Sequence, residues 1–162
     1  MSQVMNAIER ALRDAYVSLE NPRLDFAKRQ YDLRPYGDLV TVLQSSFRVS
    51  ESTDLNDDVC VWIALTSEHG EWALLLSLVG SFALVLRMDS ATGCGRVITE
   101  STEGLCPEET QIVVELQNRG IAPLAEDVLN QPIGLALANM PPTEVRVFHA
   151  LFSRTESLPW QQ

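Results

Sequence analysis

Apolar and polar positions alternate most regularly over residues 58–88. Val59, Val61, Ile63 and Leu65 point one way and Cys60, Trp62, Ala64 and Thr66 the other. After a loop at 67–70, Trp72, Leu74, Leu76 and Leu78 alternate with Ala73, Leu75, Ser77 and Val79. A period of two predicts strands. Gly80-Ser81 has the chemistry of a two-residue, glycine-first hairpin turn, after which Phe82, Leu84, Leu86 and Met88 alternate with Ala83, Val85 and Arg87. A membrane helix does not fit, because Glu71 and Arg87 bracket fewer residues than the roughly 20 a bilayer needs. A single buried helix would carry Gly80-Ser81 at its middle. The expectation is an antiparallel meander with a large apolar face and a smaller one. Trp62, Leu75 and Val85 are assigned to the smaller face.

The flanks change the period. Val4, Ile8, Leu12, Ala15 and Leu19 recur at three and four and predict a helix over 3–20, capped by Ser2 and ended by Asn21-Pro22. Residues 24–37 are mixed, with a short helix near 26–31 and turn chemistry after it, and read as a flap over the sheet edge. Leu39, Thr41, Leu43, Ser45, Phe47 and Val49 alternate as a first strand would, although Leu39, Val42, Leu43 and Phe47 also share a helical face. Residues 89–104 are rich in turn formers. Pro107, the acidic pair Glu108-Glu109 and the stop at Gly120 predict a helix over 107–119, and Pro123 opens a short one through Leu129. Residues 133–137 and 145–152 alternate as a C-terminal hairpin would, with a helix capped by Thr143 as the rival reading of 145–152. Leu158 and Trp160 are placed to tack the end of the chain down. The whole is expected to be one α+β domain over 1–162. In it, a meander at about 39–88 packs against the N-terminal helix and the 107–119 helix.

Charge narrows the partners. A net charge of −10 opposes nucleic acid or an anionic membrane as the main partner, since both need a positive footprint. Up to Arg34 basic and acidic residues nearly balance, and the rest of the chain is strongly acidic. Lys28 is the only lysine. Arg10, Arg13, Arg23, Arg29 and Arg34 are therefore candidates to pair with the acidic remainder, within or between chains. Phe26, Tyr31 and Tyr36 beside Lys28, Arg29 and Arg34 have the aromatic and basic mixture of a nucleic-acid surface, set against the acidity of the whole.

Candidate chemistry is sparse. Cys60, Cys94 and Cys106 form no CxxC, and His69 and His149 are the only histidines, so the four-ligand spacing of zinc is missing. Asp54, Asn56 and Asp58 imitate a calcium loop. Val59 stands where the template needs Gly, however, and Leu65 where it needs Glu. The GxG at Gly93–Gly95 lacks the third glycine of a dinucleotide fingerprint. No nucleophile elbow, P-loop or HExxH occurs. No metal, cofactor or catalytic residue is expected, and the chain is read as a non-enzyme. Three cysteines without an evident pairing scheme fit a reducing compartment, and the N-terminus lacks the h-region of a signal peptide, so a cytoplasmic setting is expected.

The ordering of segments 3–20, 39–88 and 107–119 resembles the secretion-chaperone-like α+β proteins, which include the type III secretion chaperones and the YbjN-type domains. The resemblance implies a non-catalytic homodimer that binds another polypeptide, and it transfers no site residue. The function expected is thus protein binding through an acidic or apolar surface of the sheet, with Trp62, Leu75 and Val85 as the partner or dimer interface. Alternatives are an immunity-type inhibitor of a basic toxin, a thiol-dependent enzyme or redox sensor centred on Cys94 with His69 or His149, and a regulator holding a small molecule between helices and sheet.

Overall fold

Alternation in the middle of the chain produces the sheet. In a computed structural model, which describes residues 3–137, 140–155 and 157–161, strands β1 (Arg48–Glu51), β2 (Cys60–Ser67), β3 (Gly70–Ser77), β4 (Phe82–Met88) and β5 (Gly95–Ile98) follow one another as an antiparallel meander. A sixth strand, β6 (Ala122–Pro123), runs parallel to β4 at Phe82 and Ala83, while β5 takes the remainder of that edge. Helices α1 (Gln3–Tyr16), α2 (Phe26–Asp32) and α3 (Gly37–Leu43) precede the sheet, and α4 (Pro107–Asn118), α5 (Glu126–Leu129) and α6 (Val147–Leu151) follow it. The fold is α+β. Among the described residues no helix is long and apolar enough to cross a membrane.

Both faces of the sheet are buried, which is why the central strands read as near-continuous apolar runs. Directly paired residues share a face. Ile63, Leu74, Val85 and Ile98 line up on one face, and Trp62, Leu75 and Leu84 on the other. Helix α4 covers the first, where Trp72 Nε1 donates to Glu109 at 2.9 Å. Phe47 meets the Trp72 ring edge-on on the same side. Helix α6 lies on the second, where Ser77 Oγ donates to the Leu151 carbonyl at 2.7 Å. The Tyr16 hydroxyl donates to the Ala150 carbonyl at 2.6 Å and ties α1 to α6.

Several expectations need correction. Helix α1 stops at Tyr16 rather than near residue 20. Val17 turns left-handed at φ +70°, and the chain departs so that Leu19 is buried and its carbonyl accepts the Ala136 N–H at 2.9 Å. Ser2, expected as the α1 cap, lies outside the described residues. The first strand does not begin at Leu39. Residues 37–43 form α3, with Leu39 and Leu43 buried one turn apart, and only 48–51 pair with β2. The meander therefore spans 48–98, not 39–88, and gains β5 from a segment read as turns. The C-terminal hairpin is replaced by isolated bridges at Pro132–Arg146 and Leu137–Met140 and by α6. There Val147 through Leu151 are all buried, so enclosure by the rest of the chain, and neither period, decides the element. Leu158 is buried and Trp160 meets Phe148 edge-on at 5.5 Å, which does hold the tail down.

Candidate functional site

The three residues expected to form an interface do not share a surface. The β3–β4 connection is four residues, 78–81, and pairs Leu74 with Val85 and Leu75 with Leu84. Connections of even length pair even with odd positions, so Val85 falls on the face opposite Trp62 and Leu75. Leu75 and Val85 are also completely buried within the chain, and only Trp62 keeps partial exposure. The apolar faces thought to need a second subunit are covered by α4 on one side and by α6 on the other.

The residues singled out for chemistry are likewise absorbed into structure. Cys94 Sγ lies 3.6 Å from the Pro159 carbonyl. His69 Nδ1 is bonded to Glu108 at 2.5 Å, and His149 Nδ1 accepts the Arg146 N–H at 2.9 Å, so neither ring is hydrogen-bonded to the thiol. Asp58 does not solvate a turn but is buried. It accepts from Ser153 Oγ at 2.8 Å and the Asp54 N–H at 2.9 Å, bridging the start of β2 to the C-terminal segment. Burial pushes its carboxyl up, and those two hydrogen bonds hold it partly down. Among the described residues no cluster of His, Cys, Asp and Glu could hold a metal ion.

Glu109 is the strongest buried charge. Its side chain is fully enclosed and accepts from Arg87 Nε and Nη2 at 2.5 Å, from Trp72 Nε1 and from the Cys106 N–H at 3.0 Å. Burial alone would raise its pKa. The bonds from Arg87, Trp72 and Cys106 outweigh that and lower it to about 2. Every oxygen is occupied from within the chain, so this network locks α4 to the sheet rather than offering a site.

The open feature is a cleft of about 730 Å³ between the end of α1, α2, the start of α3, the β3–β4 turn and the end of α4. Its apolar lining includes Phe26, Pro35, Leu39, Leu78 and Ile121, and its charged lining is Asp14, Arg29, Asp38 and Arg119. Arg29 pairs with Asp25 at 2.5 Å, and Arg119 with Asp38 at 2.9 Å and Glu115 at 2.6 Å. Tyr36 closes one wall, where its hydroxyl donates to the Ser77 carbonyl. Burial, with Cys60 nearby, raises its pKa to about 12. Val17 stands at the cleft with 67% of its surface exposed, one of the few large apolar side chains left in solvent.

Sequence patterning missed this cleft because its walls come from five separate elements. Arg29, a cation whose acidic partner the sequence leaves open, finds it at Asp25, immediately before its own helix. No protein-family model, curated protein or solved structure matches the chain.

Proposed function

We propose that this is a non-catalytic binding protein that receives a basic segment of another polypeptide in the cleft at the end of α1. The observation that carries the proposal is the make-up of that cleft. Its lining carries Asp14 and Asp38 with Arg29 and Arg119 among apolar side chains. Both guanidiniums are already bound by carboxylates of this chain, Arg29 by Asp25 and Arg119 by Asp38 and Glu115, whereas Asp14 enters no ion pair among the described residues. With both guanidiniums engaged, the exposed Asp14 and the second acid shared at Arg119 are left to attract and orient a cationic chain, while the apolar lining and the bare Val17 supply contact area. The net charge of −10 extends the same preference over the whole surface. The polypeptide-binding role implied by the resemblance to secretion-chaperone-like proteins agrees with this reading. So does a reducing, cytoplasmic setting for a chain whose three cysteines are all free. In the immunity-type version the basic polypeptide is a toxin.

A photo-crosslinking side chain placed at position 17 tests it directly, with position 114 on the outer side of α4 as the control. The expected result is a discrete adduct with a basic polypeptide from position 17 only, lost when Asp14 and Asp38 are both changed to Lys. Identical adducts from both positions, or an acidic captured chain, would overturn the proposal.

A further inference from the structure

A second pocket lies at the opposite end of the sequence and takes no part in the cleft. It measures about 410 Å³ and is lined by Asn130, Glu144, Arg146, His149, Leu158 and Gln161. His149 is only 3% exposed. Its Nδ1 accepts the Arg146 backbone N–H, which places the imidazole hydrogen on Nε2. Among the described residues that Nε2–H has no hydrogen-bond partner of normal geometry. The Thr155 carbonyl contributes favourably to the charged ring, but not within hydrogen-bonding geometry. A buried donor left unpaired costs free energy comparable to a lost hydrogen bond, so native structures leave few of them.

Arg146 beside it is partly exposed, so that its guanidinium is open to solvent. Among the described residues it enters no ion pair, and its guanidinium is close enough to His149 to oppose protonation of the ring. The structure therefore gathers a partly exposed guanidinium outside any described ion pair, a buried imidazole N–H without a described partner and two side-chain amides around one polar pocket. One carboxylate, Glu144, is exposed among them.

The geometry points to a binding site for a small oxyanion, a phosphate or a carboxylate group, held by Arg146 and His149 between α6 and the C-terminal tail. The guanidinium presents the donor fork that fits such groups, and the imidazole supplies a second donor from the protein side. Asn130 and Gln161 can serve either as donors or as acceptors. Glu144 opposes a dianion and limits affinity.

Inorganic phosphate and acetate, each titrated at fixed ionic strength against a chloride control, test the site through the side-chain 15N–1H signals of His149. The expected result is a saturable shift of the Nε2–H signal with one or both oxyanions and none with chloride. The stronger of the two identifies the ligand as phosphate or carboxylate. Arg146→Ala should weaken binding by about tenfold or more, as loss of a charge-assisted bond predicts. Glu144→Gln, at an exposed position where folding is not in question, should tighten it severalfold. Absence of a saturable shift with either oxyanion, or an unchanged affinity in Arg146→Ala with the fold intact, would overturn the assignment.

Discussion

At the scale of the residue, Glu109 shows how an acidic side chain becomes structural. It sits three residues after Cys106, where its carboxylate can reach back to the Cys106 N–H as in a capping box. The helix turns the same group inward onto Trp72 and Arg87. Breaking a buried pair by removing one partner costs about 3–5 kcal/mol when the other charge is stranded. Arg87 keeps a third of its side-chain surface and can turn to water, so Glu109→Ala should cost about 2–4 kcal/mol in urea unfolding. The pH dependence has a definite sign. The folded carboxyl lies at about 2 against an ordinary 4.5, so between those values the unfolded chain binds the extra proton. The contribution is complete above pH 4.5 and is lost as pH falls towards 2. Unfolding curves of Glu109→Gln should lack that acid-labile part, and an acid profile identical to the parent would refute the account. None of this burial was legible, since Glu108 and Glu109 read alike as acids at a helix start. Only the packing of α4 on Trp72 separates them.

At the scale of the element, what could be read depended on how many periods a segment contains. Strands β2, β3 and β4 and helix α4 carry enough repeats to exclude the rival period, and they stand where alternation and capping chemistry placed them. Residues 37–43 make about two helical turns and 147–151 fewer still. Leu39, Leu43 and Phe47, or Val147 and Leu151, then satisfy either period, and tertiary burial decides. Strand β5 is hidden by its leading glycine, Gly95, in a stretch of turn formers. Gly95 is favoured there because an added Cβ would crowd Leu86 at 3.0 Å, a packing reason rather than a turn. The end of α1 was misplaced for a different cause. A helix commonly closes on a left-handed Gly or Asn, whereas this one closes on Val17 at φ +70°, where a β-branched side chain is strained. Val17→Gly should therefore raise stability by about 1 kcal/mol in thermal or urea unfolding, because the exposed side chain has little packing to lose. If it lowers stability instead, Val17 is held by contacts that outweigh its backbone cost.

At the scale of the whole molecule, the C-terminal quarter completes the fold instead of decorating it. The Val59 N–H donates to the Phe152 carbonyl at 2.8 Å, Gly95 to the Pro159 carbonyl at 2.9 Å, and Ser77 Oγ to Leu151. Tyr16 reaches α6 from the other end of the chain, so the first helix depends on the last. These links span most of the sequence, and local patterning could not supply them. They also remove the reason for expecting a second subunit over Leu75 and Val85, because one chain already buries both. A chain ending after Gln131 would lose α6 and expose the face that carries Leu75, Leu84 and Leu86. It should keep strand content by circular dichroism, bind a hydrophobic dye strongly and unfold without a cooperative transition, as a collapsed but unpacked state does. The full chain should unfold in one transition by tryptophan fluorescence and circular dichroism alike, and light scattering should give a single-chain mass at micromolar concentration. A shortened chain that still unfolds cooperatively without binding dye would show that the sheet's second face is covered by something other than α6. The link from Ser77 to Leu151 would then be incidental to stability.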